Sequence, residues 1–245
     1  MSHPASIGAP ATRFTARQLS GLPDPVTRYL RFALSEGQPL IMQARVSQNG
    51  HFAMRRGWWR PFTATQDFST SPPGFTWTAS IRMAPMLRVH VRDSYVDGDG
   101  EMLARLGRVL TLVHERGSIE LASSALVRFL SEGPWTPTVL LPSRSLTWEW
   151  VDEQSARATL RDGVVQASVI FRFGPDGAIV GVSSHRYRSV GRRQLLTPQE
   201  GRFGGYERVS GMMVPSTGEV AWLLPDGAFP YWRAAVSRLV YTFAP

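Results

Sequence analysis

Between Val164 and Phe173 the chain alternates strictly, placing Val165, Ala167, Val169, Phe171 and Phe173 on one face. A period of two marks a β-strand with one buried face. Asp162-Gly163 separates it from Ala156–Leu160, and Asp176-Gly177 separates it from Ala178–Tyr187. Two more such dipeptides stand between apolar runs. Asn49-Gly50 lies between Leu40–Ser47 and His51–Arg56, and Thr217-Gly218 between Gly211–Val214 and Glu219–Leu224. These dipeptides accept the positive φ that tight hairpin turns require, so each predicts a two-stranded antiparallel ladder. Further strands are predicted at Phe62–Phe68, Phe75–Met83, Leu87–Tyr95, Arg108–His114 and Leu146–Val151. The aromatic and β-branched content of Tyr231–Phe243 predicts another there.

Two segments follow the helical period instead. Val26, Tyr29, Leu30, Ala33 and Leu34 share one face, with Asp24 suited to the N-cap, Pro25 to the first turn and Gly37 to the stop. Ser123–Glu132 carries Leu126, Phe129 and Leu130 on one side and ends at Gly133-Pro134. A short helix midway between two sets of hairpins predicts a mainly β fold. Its curved antiparallel sheet, a half-barrel or barrel, would wrap that helix and carry the other helix at its N-terminal end. No linker divides residues 22–245, which are expected to form a single β-rich domain behind a flexible N-terminal arm, 1–21.

The chain has 245 residues, a hydrophobic fraction of 43% and no Cys, which suits a well-packed core in a reducing compartment. The start lacks the basic, apolar and small-residue order of a secretory signal, and no apolar run is long enough to span a bilayer. The expected location is therefore cytoplasmic. Formal net charge is +8, and all 27 basic residues are Arg. The arginines are spread along the chain, densest from Arg186 to Arg208. Such spacing fits compositional bias better than a dedicated nucleic-acid surface, so no nucleic-acid partner is expected.

Several motifs recur together in a known group. They are Leu22-Pro23-Asp24-Pro25-Val26-Thr27-Arg28-Tyr29-Leu30, Phe75-Thr76-Trp77-Thr78-Ala79, and the run from Asp93 to Gly100. Arg128-Phe129-Leu130-Ser131-Glu132 with Trp135-Thr136-Pro137, and Tyr231-Trp232-Arg233, complete the set. From Leu22 to Tyr241 the chain resembles an uncharacterised bacterial domain-of-unknown-function family. That resemblance implies no activity, substrate or catalytic residue. In architecture alone, hairpins, a central helix and more hairpins resemble the LolA and LolB lipoprotein-carrier fold, a half-open barrel that holds acyl chains. This second likeness rests on no motif and bears on layout rather than function.

Most catalytic signatures are missing from the sequence. Without Cys or Lys there is no thiol nucleophile, Schiff base or phosphate-loop lysine. His114-Glu115 lacks the second His of a zinc-protease motif, and no two histidines have metal-ligand spacing. Asp97-Gly98-Asp99-Gly100-Glu101 places carboxylates at alternate positions, as calcium loops do. It lacks the remaining ligands, so a hairpin turn is the expected reading. No cofactor and no metal are expected.

Arg128 and Glu132 lie four apart on the central helix and so share a face. If the sheet wraps this helix, both charges sit near a cavity, where they form a buried structural pair or a functional site. The eight Trp residues supply either a large aromatic core or an aromatic-lined pocket. The expected function is binding of an apolar, lipid-like or polycyclic small molecule. Arg128, Glu132, Trp135, Tyr95, Trp77, Arg186 and Tyr206 are the candidate ligand contacts. The first alternative is a cofactor-independent cyclase or isomerase acting on a natural-product intermediate, with Glu132 and Asp93 as candidate acid–base residues. A second alternative is an anionic surface or nucleic acid held by Arg186–Arg208.

Overall fold

A computed structural model describes residues 12–107, 109–191 and 193–245. Thirteen strands form one sheet: β1 (Ile41–Arg55), β2 (Trp58–Thr70), β3 (Pro73–Ala84), β4 (Leu87–Val96), β5 (Asp99–Leu106), β6 (Leu110–Arg116), β7 (Leu146–Asp152), β8 (Ser155–Asp162), β9 (Val165–Phe173), β10 (Ile179–Val190), β11 (Arg193–Val209), β12 (Met212–Leu224) and β13 (Gly227–Phe243). Their spatial order is β6-β5-β4-β3-β2-β1-β13-β12-β11-β10-β9-β8-β7. Every pairing is antiparallel. Two meanders therefore meet at a seam between the first and last strands, running from Ile41↔Phe243 to Phe52↔Trp232.

The two outermost strands, β6 and β7, do not pair, so the sheet is open. The chain passes between them through helix α2 (Ile119–Ser131), followed by short 3₁₀ turns at Gly133–Trp135 and Pro137–Leu140. Helix α2 touches β3, β4 and β5 on one flank and β9 and β10 on the other. The sheet thus curves around it, as the hairpin–helix–hairpin order predicts. Ser118 caps α2, its hydroxyl accepting from Leu121 N–H at 3.1 Å. The helix begins earlier than its apolar face suggested because this cap lies one turn upstream.

Helix α1 (Asp24–Ala33) has Pro23 at its N-cap, and Asp24 is the first helical residue. Leu34 closes it in extended conformation; Gly37, the expected stop, lies in the following turn with φ 78°. Phe14 and Leu19 are buried, and Phe14 N–H donates to the Gln38 carbonyl at 2.8 Å. Residues 12–21 are therefore anchored at Phe14 and Leu19, although they fall in the stretch expected as an arm, because these two large apolar side chains have a core to enter. Residues 1–11 lie outside the described residues.

Asp162-Gly163 and Asp176-Gly177 turn where expected, and so does Asp97-Gly98, with φ 52° at Asp97 and 79° at Gly98. Asn49-Gly50 and Thr217-Gly218 do not turn. They lie inside β1 and β12, where Gly50 faces Phe62 on one side and Ala234 on the other. The turns at those places are Arg56-Gly57 and Ser210-Gly211.

Candidate functional site

Alternation places Phe62, Ala64, Gln66 and Phe68 of β2 on the buried face, together with Phe75, Trp77, Ala79 and Ile81 of β3. Register then aligns Gln66↔Trp77 and Trp77↔Asp93, so Gln66, Trp77 and Asp93 form one row across three strands. Helix α2 lays Arg128 over that row, and its C-cap residue Glu132 joins it there. Arg128 donates from Nη1 to Asp93 Oδ2 at 2.6 Å, from Nε to Glu132 Oε1 at 2.9 Å, and from Nη2 to Gln66 Oε1 at 3.2 Å. Gln66 Nε2 returns a bond to Glu132 Oε2 at 2.5 Å. The guanidinium lies 4.9 Å from the Phe75 ring centroid and 5.0 Å from that of Trp77. Trp77 Nε1 in turn donates to Gln48 Oε1 at 2.9 Å.

This is a polar network in a mostly apolar interior, and its geometry is that of a guanidinium shared by two carboxylates. Burial alone would favour loss of the Arg128 proton, but the charges of Glu132 and Asp93 outweigh it and hold the guanidinium above the ordinary arginine value.

Beside the network lies a cavity of about 520 Å³ between α2 and the inner face of the sheet. Val89, Val91 and Ala104 line one wall, Trp135, Phe203 and Trp232 another, and Asp93, Arg128 and Glu132 its polar patch. Trp135 is held by its Nε1 bond to the Pro215 carbonyl at 3.0 Å and by edge contact with Phe203. Arg186 reaches the cavity from β10 with Nε donating to the Ser124 carbonyl at 3.0 Å. A wider depression of about 800 Å³ borders the Arg45–Asp67 ion pair on the outer side of β1 and β2. Those two side chains are largely exposed, so it offers little desolvation to a ligand.

Six of the expected site residues therefore converge: Arg128, Glu132, Asp93, Trp77, Trp135 and Arg186. Tyr95 and Tyr206 do not border the cavity. Tyr95 shares Asp93's face but lies two residues nearer the β4–β5 turn, where its hydroxyl donates to Asp162 Oδ2 at 2.7 Å. Tyr206 packs on Phe32 and donates to the Ile179 carbonyl at 2.7 Å. Trp148 packs on Phe171, and Trp150 is exposed on the edge strand. Sequence reasoning missed Gln66, Gln48 and Gln199, all buried. Gln199 Nε2 donates to the hydroxyl of Tyr231, another cavity residue, at 2.9 Å. Among the described residues, no group of three or more His, Asp or Glu is placed to hold a metal ion.

Burial pushes Tyr231 and Tyr29 above the ordinary tyrosine range, and the Tyr29 hydroxyl has no partner among the described residues. A raised folded-state pKa means that the unfolded chain loses its protons first. Stability from these groups is full below about pH 10 and declines as pH rises beyond it. Urea midpoints measured from pH 8 upward are expected to fall steeply past that point. Tyr29→Phe with Tyr231→Phe should flatten the fall; an unchanged profile would show that neither phenol governs it.

The chain belongs to a family of unknown function, DUF6920, whose model matches residues 20–241. That span agrees with the resemblance read from Leu22 to Tyr241. No functionally curated protein matches the chain. Among solved structures, a LolA superfamily protein from Nitrosomonas europaea aligns with a TM-score of 0.41 and 10% sequence identity, covering 90% of this chain and 93% of that one.

Proposed function

We propose that the chain binds an apolar or lipid-like small molecule in the cavity beside α2. The observation that carries this reading is the cavity itself, about 520 Å³, whose wall is mostly aliphatic and aromatic and carries the Arg128 network, with further charges at Glu115, Arg186, Arg188, Arg202 and Glu219. That volume lies within the range of small-molecule sites, and a few convergent polar groups on an apolar wall orient an amphiphile. Aromatic side chains such as Trp135, Phe203 and Trp232 suit rings or acyl chains, and the Arg128 network faces the ligand's polar end.

A cyclase or isomerase reading draws on Asp93, which borders the cavity and bonds Arg128 through Oδ2. Glu132 fits that role less well, since Arg128 and Gln66 already engage both of its oxygens.

The test is binding of N-phenyl-1-naphthylamine, a neutral apolar fluorophore, to the full-length chain. Ala104 lines the cavity from β5, so Ala104→Trp places an indole where the ligand would lie. The parent is expected to enhance the fluorescence saturably, and Ala104→Trp to weaken binding at least about tenfold at similar melting temperature. A parent that does not bind, or a variant that binds equally, sinks the proposal.

A further inference from the structure

In an antiparallel meander alternate turns fall at the same end of the sheet. The β1–β2, β3–β4 and β5–β6 turns therefore share one end, and register confirms it through the row Gly50–Phe62–Ile81–Val89–Leu106. Just past this row the chain exposes apolar side chains. Met86 at the β3–β4 turn is 99% exposed and Val109 at the β5–β6 turn 93%. The two turns adjoin, since Gly107 N–H donates to the Arg88 carbonyl at 2.8 Å. Leu87, Leu110 and Met54 are exposed beside them.

The charge around this patch is mostly positive, with Asp226 of the β12–β13 turn as a carboxylate beside it. Arg55, Arg56, Arg82, Arg88 and Arg105 are exposed on the same end. No Asp or Glu occurs from Gln38 to Gln66, from Ser80 to Arg92 or from Met102 to His114. Among the described residues only Arg56 of these five has a carboxylate in ion-pair range, Asp226 at 2.8 Å. Trp58 lies between Arg55 and Arg60, its ring 5.2 and 4.3 Å from their guanidinium carbons.

We propose that this end of the sheet docks on the surface of an anionic lipid bilayer. Protruding Met86 and Val109 enter the boundary between headgroups and acyl chains. The arginines meet anionic headgroups, and Trp58 lies at headgroup depth. A nucleic-acid surface would use the same arginines but gives no reason to hold Met and Val fully in water at the tips. No helix among the described residues is long and apolar enough to cross a bilayer. Phe52, Ala53, Ile81 and Val89 line the cavity from this same end, so a docked bilayer faces the cavity.

The experiment is co-sedimentation of the full-length chain with vesicles of phosphatidylcholine alone and of phosphatidylcholine mixed with phosphatidylglycerol. Sedimentation with the mixed vesicles only, reversed by high salt, is expected. Met86→Asp with Val109→Asp should lower partitioning at least about tenfold, and Arg88→Glu with Arg105→Glu likewise, since each basic residue near the surface contributes about fivefold. These side chains are exposed, so near-ultraviolet circular dichroism should match the parent. Absence of sedimentation, or equal sedimentation of parent and the Met86/Val109 variant, overturns the proposal. So does duplex DNA retention that is equal in parent and variant while vesicles are not bound. Failure here leaves the small-molecule cavity untouched, because none of the four substituted residues borders it.

Discussion

Arg128→Leu is expected to lower the free energy of unfolding by about 3–5 kcal/mol, because it strands two buried carboxylates that now share one guanidinium. Asp93 and Glu132 have side chains only 6% and 14% exposed, so water in the adjoining cavity replaces the lost donor only in part. Gln66 would retain its bond to Glu132 but offers no charge. Glu132→Gln is a milder change, expected to cost about 1–3 kcal/mol, because the introduced NH2 must face a donor, Arg128 Nε or Gln66 Nε2. It keeps the shape, and Arg128 still pairs with Asp93. The third comparison is Arg128→Met with Asp93→Leu and Glu132→Leu, which removes every charge at once. Apolar replacement of buried charges is often neutral, so this triple variant should regain part of what Arg128→Leu loses, less the cost of Gln66, whose amide loses both of its partners. Urea titration of the three variants at neutral pH gives the ranking. If Arg128→Leu melts with the parent, the network is not the buried unit its distances indicate. If the triple variant is stable yet loses N-phenyl-1-naphthylamine binding, the charges serve the ligand rather than the fold.

The local parts of this architecture were readable from spacing alone. The Val165–Phe173 face and the turns on either side of it need only a period of two and a residue that accepts positive φ. The helix pair Arg128–Glu132 needs only the i, i+4 rule. Asp93 joins them from 35 residues away in sequence, and Gln66 from 62. Such contacts are set by strand register, which no short-range signal carries. A signal for Gln66 does exist, as one polar residue on the otherwise apolar Phe62-Ala64-Phe68 face. A polar side chain there must be hydrogen-bonded, so it points to a partner before the partner is known. Tyr95 shows the converse error. Tyr95, expected among the ligand contacts, shares a strand face with Asp93, yet two residues along a strand is roughly 7 Å. That step carries its hydroxyl to Asp162 instead.

Gly50→Val is expected to destabilise the protein by about 3 kcal/mol or more, the upper end of what overpacking costs. The reason also explains why Asn49-Gly50 misleads as a turn. A glycine in a strand interior often marks a place where another backbone comes close. Here β1 runs between β2 and β13, and a Cβ on Gly50 would collide with the Arg233 carbonyl and lie 2.9 Å from the Ala234 Cα. Both are backbone atoms of the neighbouring strand, so no side chain can rotate away. The strain falls on the seam that joins the two meanders, where no other pairing among the described residues links the halves of the sheet. Gly163→Val is the control. Gly163 has φ 57° in the β8–β9 turn and open space around its missing side chain. A β-branched residue there meets only backbone strain, about 1–3 kcal/mol, while packing stays intact. Chemical denaturation of both variants separates the two costs. The Gly50 variant should lose more stability and should also loosen the seam, seen as faster amide exchange across β1 and β13. If Gly50→Val is tolerated better than Gly163→Val, then Asn49-Gly50 is a turn after all and the continuous β1 strand is wrong.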